Sequence, residues 1–253
     1  MFLAADIGNT NIVVGIHDGN EWIQKVRYET KGDRPYFFYE AGLRDILLEW
    51  GVNPSEIKAA GLSSVVPHLN DQISEAIAHN TGFKPLVLGP EVFMKMDIEI
   101  PKVYEIGSDL VADAYAALQY SEQAIVVDFG TALTFTVVNA KKGILGVTFT
   151  PGLRTSISNL SGNTAMLPEV DLIKPKTIIG RSTSHAIRAG ILYGYVGLVK
   201  EILRKIHEEL DEPYKVIATG GLSSVLPELE PHFYKVEKNL TLEGIRLITQ
   251  KFG

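Results

Sequence analysis

The sequence predicts an α/β protein of two related domains, each a mixed sheet flanked by helices. Three observations predict it. A short phrase occurs twice, about half the chain apart: Phe2-Leu3-Ala4-Ala5 runs into Asp6-Ile7-Gly8-Asn9-Thr10, and Ala124-Ile125-Val126-Val127 runs into Asp128-Phe129-Gly130-Thr131-Ala132. A second strand-like run follows each copy, residues 11–17 and 133–138, and each ends in a turn, Asp18-Gly19 or Lys142-Gly143. Beyond both copies the same order of elements recurs, three strands and then alternating helices and strands.

In the first half, residues 21–30 read as the third strand. Residues 36–50 carry Phe37, Phe38, Ala41, Leu43, Ile46 and Leu47 at helical spacing and stop at Gly51, which predicts a helix. Residues 59–66 are strand-like, Pro67 opens a helix toward Ala78, residues 85–88 form a short strand, and 107–120 form a helix. In the second half the strands are 124–128, 133–139 and 144–149. Pro151-Gly152 opens a helix, and 184–210 is a long helical stretch. Residues 214–219 form a strand, Gly220-Gly221 leads into an expected helix, 234–236 is strand-like, and 241–251 is a terminal helix. The polar Ser121-Glu122-Gln123 places a boundary near 119–123 and divides the chain into domains 1–120 and 121–253.

Composition narrows the function classes. The chain has 253 residues, 45% hydrophobic and 21% charged, ordinary for a soluble globular protein. A net charge of −6 argues against a nucleic-acid binder, which needs clustered Lys and Arg. The densest basic stretch, 200–205, is interleaved with Glu201 and reads as a solvated helix face. There is no cysteine, which removes thiolate catalysis and Cys-ligated zinc and fits a reducing cytoplasm. The N-terminus enters a strand-like run directly, so no signal peptide is expected, and no run of 18 apolar residues predicts a membrane span. The six histidines show no ligand spacing and read as structural or surface residues.

Four places could carry chemistry. In Asp6-Ile7-Gly8-Asn9-Thr10-Asn11, Gly8 allows a tight turn and close backbone approach. Turn amides with Asn9, Thr10 and Asn11 can cradle phosphate oxygens, and Asp6 can hold Mg²⁺ through water. The alternative is a hairpin in which Asp and Asn cap a turn. No Gly-Lys-Ser/Thr follows, so this is not a P-loop. Asp128-Phe129-Gly130-Thr131 repeats the choice. Thr219-Gly220-Gly221 is either a tight connection or a surface for a nucleoside or phosphate. Gly107-Ser108-Asp109 sits at a helix start, where Asp109 is either an N-cap or a general base for a substrate hydroxyl; a helix N-terminus favours its ionised form.

Taken in order, Asp6-x-Gly8-Asn9-Thr10, Ser64-Val65-Val66-Pro67, Gly107-x-Asp109, Asp128-x-Gly130-Thr131-Ala132, Pro151-Gly152, Thr164-Ala165-x-Leu167-Pro168, Gly180-x-x-Thr183 and Ala218-Thr219-Gly220-Gly221 resemble the type III pantothenate kinases over essentially the whole chain. The resemblance implies the actin / sugar kinase / Hsp70 fold: two ribonuclease-H-like domains with the nucleotide in the inter-domain cleft. It implies a dimer with the active site near its interface, located in the cytoplasm. It implies ATP-dependent phosphorylation of pantothenate, the first step of coenzyme A synthesis, with Mg²⁺ and a monovalent cation, K⁺ or NH₄⁺.

By the same resemblance, Asp6, Gly8, Asn9, Thr10, Asn11, Thr131, Gly220 and Gly221 would meet ATP, Asp6 would hold Mg²⁺, and Asp128 would hold K⁺. Asp109 would be the proton acceptor. Gly107, Ser108, Asp109, Leu110, Ile100 and Thr183 would meet the acceptor. The chain departs from the family at five positions. The family commonly reads Gly-Ala-Asp-Arg where this chain has Gly107-Ser108-Asp109-Leu110. Asp113 replaces the usual Asn, Val147 replaces the second Gly of a Gly-Gly pair, and Ile100 stands at the register of a substrate-touching Tyr, with Tyr104 nearby. These departures keep two other readings open: a kinase of the same fold for another small hydroxylated acid, and a nucleotide-binding regulator without turnover.

Overall fold

A computed structural model describes residues 1–30, 34–164, 166–223 and 225–253. The chain divides into two compact units. Unit 1 is Met1–Gln119 with Lys141–Ile144 and Asn239–Gly253; unit 2 is Tyr120–Ala140 with Leu145–Lys238.

Unit 1 is built on a sheet of β1 (Phe2–Ile7), β2 (Asn11–His17), β3 (Trp22–Glu29), β4 (Ala59–Ser64) and β5 (Leu86–Val87) in the order β3-β2-β1-β4-β5. The apolar run of β1 suits a central strand, antiparallel to β2 and parallel to β4. β3 alternates between half-buried and exposed residues, as an edge strand should. One face of the sheet presents Leu3, Ala5, Ile7, Ile12, Val14, Ile16 and Leu62 to a core shared with α1 (Tyr36–Glu49) and α2 (Asn70–Thr81). The other face receives α4 (Ser108–Ala117) and the terminal helix α7 (Leu240–Phe252), while α3 (Pro90–Phe93) is a single turn after β5.

Unit 2 repeats the plan. Its strands are β6 (Gln123–Phe129), β7 (Ala132–Asn139), β8 (Gly143–Pro151), β9 (Lys215–Thr219) and β10 (Lys235–Val236), ordered β10-β9-β6-β7-β8. Read from the other edge this is the order of the first sheet, so the duplicated phrase is the visible end of a duplicated topology. Ile125, Val127, Phe129, Leu133 and Phe135 pack with Leu153 of α5 (Leu153–Gly162) and Leu192, Tyr195, Val199 and Leu203 of α6 (Thr183–Glu209).

The structure departs from the sequence reading in three places. Pro67 opens a short 3-10 helix, Pro67–Leu69, before α2 begins. The helix expected after Gly221 gives way, among the described residues, to turns and a 3-10 helix, Pro227–His232; Pro231 lies inside it and has no N–H for an α-helical bond. The terminal helix, second-domain by chain order, belongs to unit 1. Its Gly244 lies so close to α4 that a Cβ there would stand 1.9 Å from the Ala112 carbonyl oxygen, and Gly61 of β4 leaves room for Ile245 and Thr249.

Candidate active site

In unit 1 the site begins where β1 ends. Asp6 is the penultimate residue of β1 and lies opposite Val13 of β2 and Ser63 of β4. Residues 8–11 make the turn into β2, closed by the Gly8 N–H donating to the Asn11 carbonyl at 2.9 Å. Thr30, just past β3, fixes this loop twice. Its N–H donates to the Thr10 carbonyl at 2.9 Å, and its hydroxyl donates to the Gly8 carbonyl at 2.6 Å. Asn9 and Thr10 are exposed on the fixed loop.

Asp109 is the second residue of α4. Gly107 holds the N-cap position, with no side-chain cap bond, and the Asp109 carboxylate takes first-turn amides from the second position of the helix instead. Its Oδ1 accepts the Leu110 N–H at 2.8 Å. Burial raises its pKa above the ordinary carboxylate value, and the amides of Leu110 and Asp109 itself oppose that rise. The helix-start effect expected from the sequence is therefore present but outweighed. Among the described residues no cation pairs with Asp109. A carboxylate of this kind is a stronger proton acceptor than an exposed Asp.

Gly107 makes this arrangement possible, because a Cβ there would lie 2.4 Å from Asp109 Oδ1. The obstacle is the end of a side chain, which can swing away. Gly107→Ala is therefore expected to leave the melting temperature within about 3 °C of wild type, a cost near 1 kcal/mol, while turnover falls at least ~10-fold through misplacement of the base. Calorimetry beside steady-state kinetics checks it.

In unit 2 Asp128 occupies the matching place, penultimate in β6, opposite Thr134 of β7 and Thr219 of β9. Its turn, residues 130–132, is one residue shorter than that of Asp6. Two glycines bracket the carboxylate: a Cβ on Gly220 would lie 2.3 Å from Oδ1, and one on Gly130 would lie 3.2 Å from Oδ2. Gly220 also holds φ +89°, where a side chain is strained. The start of α5 docks on the same turn. The Gly152 N–H and the Thr155 hydroxyl both donate to the Thr131 carbonyl, at 3.0 and 2.7 Å. Tyr195 of α6 donates its hydroxyl to the Pro151 carbonyl at 3.1 Å. Thr131 itself is exposed, as is Thr183 at the first position of α6.

This double construction, a carboxylate at the end of each central strand beside an ordered turn, suits phosphate and cation chemistry. Likeness to known proteins says whose chemistry it is. A profile of the family described as type III pantothenate kinase matches residues 2–205. A type III pantothenate kinase of Geobacter sulfurreducens is 38% identical over 252 residues, covering 99% of this chain and 99% of its own. The chain belongs to the type III pantothenate kinase family. The family member from Anaeromyxobacter sp. strain K is 37% identical over 99% of both chains. Solved structures add the fold alone. A Campylobacter jejuni protein named as a Baf family transcriptional activator superposes with TM-score 0.60 at 20% identity over 98% of each chain. The inorganic polyphosphate/ATP-glucomannokinase of Arthrobacter sp. strain KM gives 0.52 at 15% identity, again over 98% of each chain. With the repeated strand order, these likenesses show an actin / sugar kinase / Hsp70-like fold.

Within this type III pantothenate kinase, the structure brings Asp6, the 8–11 turn, Gly107 and Asp109 together in unit 1, and Asp128, Thr131 and Gly220 together in unit 2. Ser108, Leu110 and Ile100, expected to meet the acceptor, are buried, at 5%, 6% and 8% exposure. Asp113 is also buried and accepts the Thr241 hydroxyl of α7 at 2.8 Å, so this departure ties α4 to α7. Tyr104 is exposed. Ala165 of the Thr164-to-Pro168 motif lies outside the described residues. Sequence reasoning missed Thr30, Thr155 and Tyr195 as loop supports. Each acts by one or two hydrogen bonds to backbone far along the chain, which leave no mark in a linear pattern.

Proposed function

We infer that this chain transfers the γ-phosphoryl group of ATP to the primary hydroxyl of pantothenate, giving 4′-phosphopantothenate at the first step of coenzyme A biosynthesis. The observation that carries the reading is the end-to-end match to pantothenate kinases. Asp109 accepts the hydroxyl proton as the oxygen attacks phosphorus; its raised basicity and the lack of a cationic partner among the described residues suit that task. Asp6 with the Gly8–Asn11 turn takes the ATP phosphates, and Thr131, Gly220 and Gly221 take the rest of the nucleotide. Gly107, Asp109 and the exposed Thr183 serve the acceptor, whereas the side chains of Ser108, Leu110 and Ile100 are buried and serve packing.

Among the described residues there is no cluster of three or more His, Asp or Glu arranged for a metal. A single carboxylate, Asp6, suits a Mg²⁺ that keeps its water and binds mainly to phosphate, and Asp128 suits a monovalent cation. When bound, these ions neutralise charge on the phosphoryl oxygens. Gly220→Ala, whose Cβ would overlap both the Asp128 carboxylate and the Phe129 backbone, is expected to shift this strand end and raise the K⁺ concentration needed for half-maximal rate at least ~10-fold, as displaced ligand supports do. A K⁺ titration of rate checks it.

A homodimer in the cytoplasm completes the reading. Phe149, Met166, Ile173, Ile178 and Ile179 of unit 2 are large apolar residues left exposed, which favours association. No helix among the described residues is long and apolar enough to cross a membrane. The test incubates the protein with ATP, Mg²⁺ and pantothenate, pantetheine or a sugar panel, with and without K⁺ or NH₄⁺, and identifies products by mass. 4′-Phosphopantothenate is expected. A different phosphorylated acid would replace the acceptor, and ATP binding without any phosphorylated product would replace the kinase with a nucleotide-binding regulator.

A further inference from the structure

Ser108 stands directly before the proposed base, and its hydroxyl is fully committed. Its Oγ lies 2.8 Å from the Ser64 N–H, 3.1 Å from the Ser64 carbonyl and 3.0 Å from Ser63 Oγ. A hydroxyl has one donor and two acceptor sites. The Ser64 amide donates to it, it donates to the Ser64 carbonyl, and the remaining lone pair takes the Ser63 hydroxyl. Both serines are buried, Ser63 completely and Ser108 at 5% exposure. The first turn of α4 is thereby tied to the last two residues of β4. Ser63 is also the residue opposite Asp6 in the parallel pair. The end of one strand thus sets the places of both the Asp6 carboxylate and the helix that bears Asp109.

Among the described residues Asp109 has no comparable anchor of its own. Its side-chain bond to the Leu110 N–H stays within the same turn of helix and moves with it. No side chain caps that turn either. Where the helix start goes, the carboxylate goes.

We propose that Ser108 is a positioning residue for phosphoryl transfer: through Ser63 and Ser64 it locks the start of α4 to the end of β4 and so fixes the Asp109 carboxylate relative to Asp6. The proposal rests on Asp109 being the proton acceptor. Loss of the hydroxyl leaves the fold and the nucleotide loop in place but lets the base wander, and misplacement by about 1 Å costs on the order of 10² in rate.

The experiment compares Ser108→Ala, Ser63→Ala and the double variant with wild type and with Ser74→Ala, a buried serine of α2 remote from the site. Ser108→Ala is expected to lower kcat ~10- to 100-fold with the KM for ATP within about twofold, a change confined to the transition state. Ser63→Ala, which removes one of three bonds, should lose less. The double variant should lose no more than Ser108→Ala alone, because the two act as a unit. In Ser108→Ala the acid limb of the kcat/KM profile should move down toward that of an exposed Asp as the carboxylate reaches water; in Ser74→Ala it should stay. Ser108→Cys, nearly isosteric and a weak hydrogen bonder, supplies the comparison if the alanine variant does not fold, with the same kcat loss expected. Unchanged kcat in the folded Ser108 variant, with Asp109→Asn inactive, overturns the positioning role. So does a loss of rate shared equally by Ser74→Ala. Near-normal turnover in Asp109→Asn overturns the underlying reading instead.

Discussion

Asp109→Asn is expected to lower kcat by at least ~10², the range measured for loss of a general base, while ATP still binds with nearly wild-type affinity. The amide keeps the shape of the carboxylate and its Leu110 contact but cannot accept the proton. The pH profile carries a second signature. Because burial raises the Asp109 pKa, the acid limb of kcat/KM in the wild-type enzyme should lie above the ordinary Asp value of 3.8. Stability should move the other way. A carboxyl whose folded pKa is raised favours the folded state below its unfolded value, and that contribution is lost as pH rises through the folded one. At neutral pH the wild-type fold therefore carries a cost for the buried Asp109 carboxylate, and the Asn variant, though slowed, should melt no lower than wild type. Equal turnover in the two enzymes, or an acid limb at or below 3.8, would remove Asp109 from its role.

Gly244→Ala should cost more stability than the same change at Gly42, Gly190, Gly194 or Gly197, helical glycines where a Cβ would meet nothing within 4 Å. Helix propensity alone predicts a gain of up to ~1 kcal/mol for Gly to Ala in a helix interior. Packing predicts the opposite at Gly244. The new Cβ would lie 1.9 Å from the Ala112 oxygen and 2.4 Å from its carbonyl carbon. Both are backbone atoms of α4, so no rotamer change relieves the overlap and one helix must shift. Overpacking of this kind costs about 1–3 kcal/mol and at times more, which outweighs the propensity gain and lowers the melting temperature by roughly 4–10 °C for a chain of this size. Since α4 bears Asp109, kcat should fall as well. Gly42→Ala in α1 is the control. There propensity decides, and a gain of about 0.4–1 kcal/mol is expected. Chemical denaturation of the two variants measures both. A stable Gly244→Ala enzyme would mean that α4 and α7 are not as tightly joined as the structure has them.

Much of this molecule was legible before its structure. The apolar runs before Asp6 and Asp128 could only be buried strands, and their repetition foretold two sheets of one plan. What the sequence hid was of two physical kinds. Some of it was local competition: residues after Gly221 resemble a helix by polarity, but Pro227 and Pro231 restrict them to 3-10 geometry. The rest was long-range. Gly244 matters only because Ala112 lies against it, and Ser108 only because Ser63 and Ser64 face it, 45 and 44 positions earlier. The substrate segment shows the limit most plainly. Its motif located Asp109, while the neighbouring side chains of Ser108 and Leu110 point to packing, a distinction that depends on which face of α4 meets the sheet.

The helix α7 has a consequence for how the protein is made. Domains ordinarily fold in the order in which a ribosome releases them. Here the unit that begins the chain awaits residues 239–253 to cover one face of its sheet, whereas the unit in the middle has all its residues by 238. During synthesis the later unit can mature first, and the half that carries Asp6 and Asp109 closes last. A nascent chain thus exposes the sheet face around Gly61 until residues 239–253 emerge, and chaperone capture or truncation before them would fall on the half that carries Asp6 and Asp109 rather than on the unit next to it in sequence.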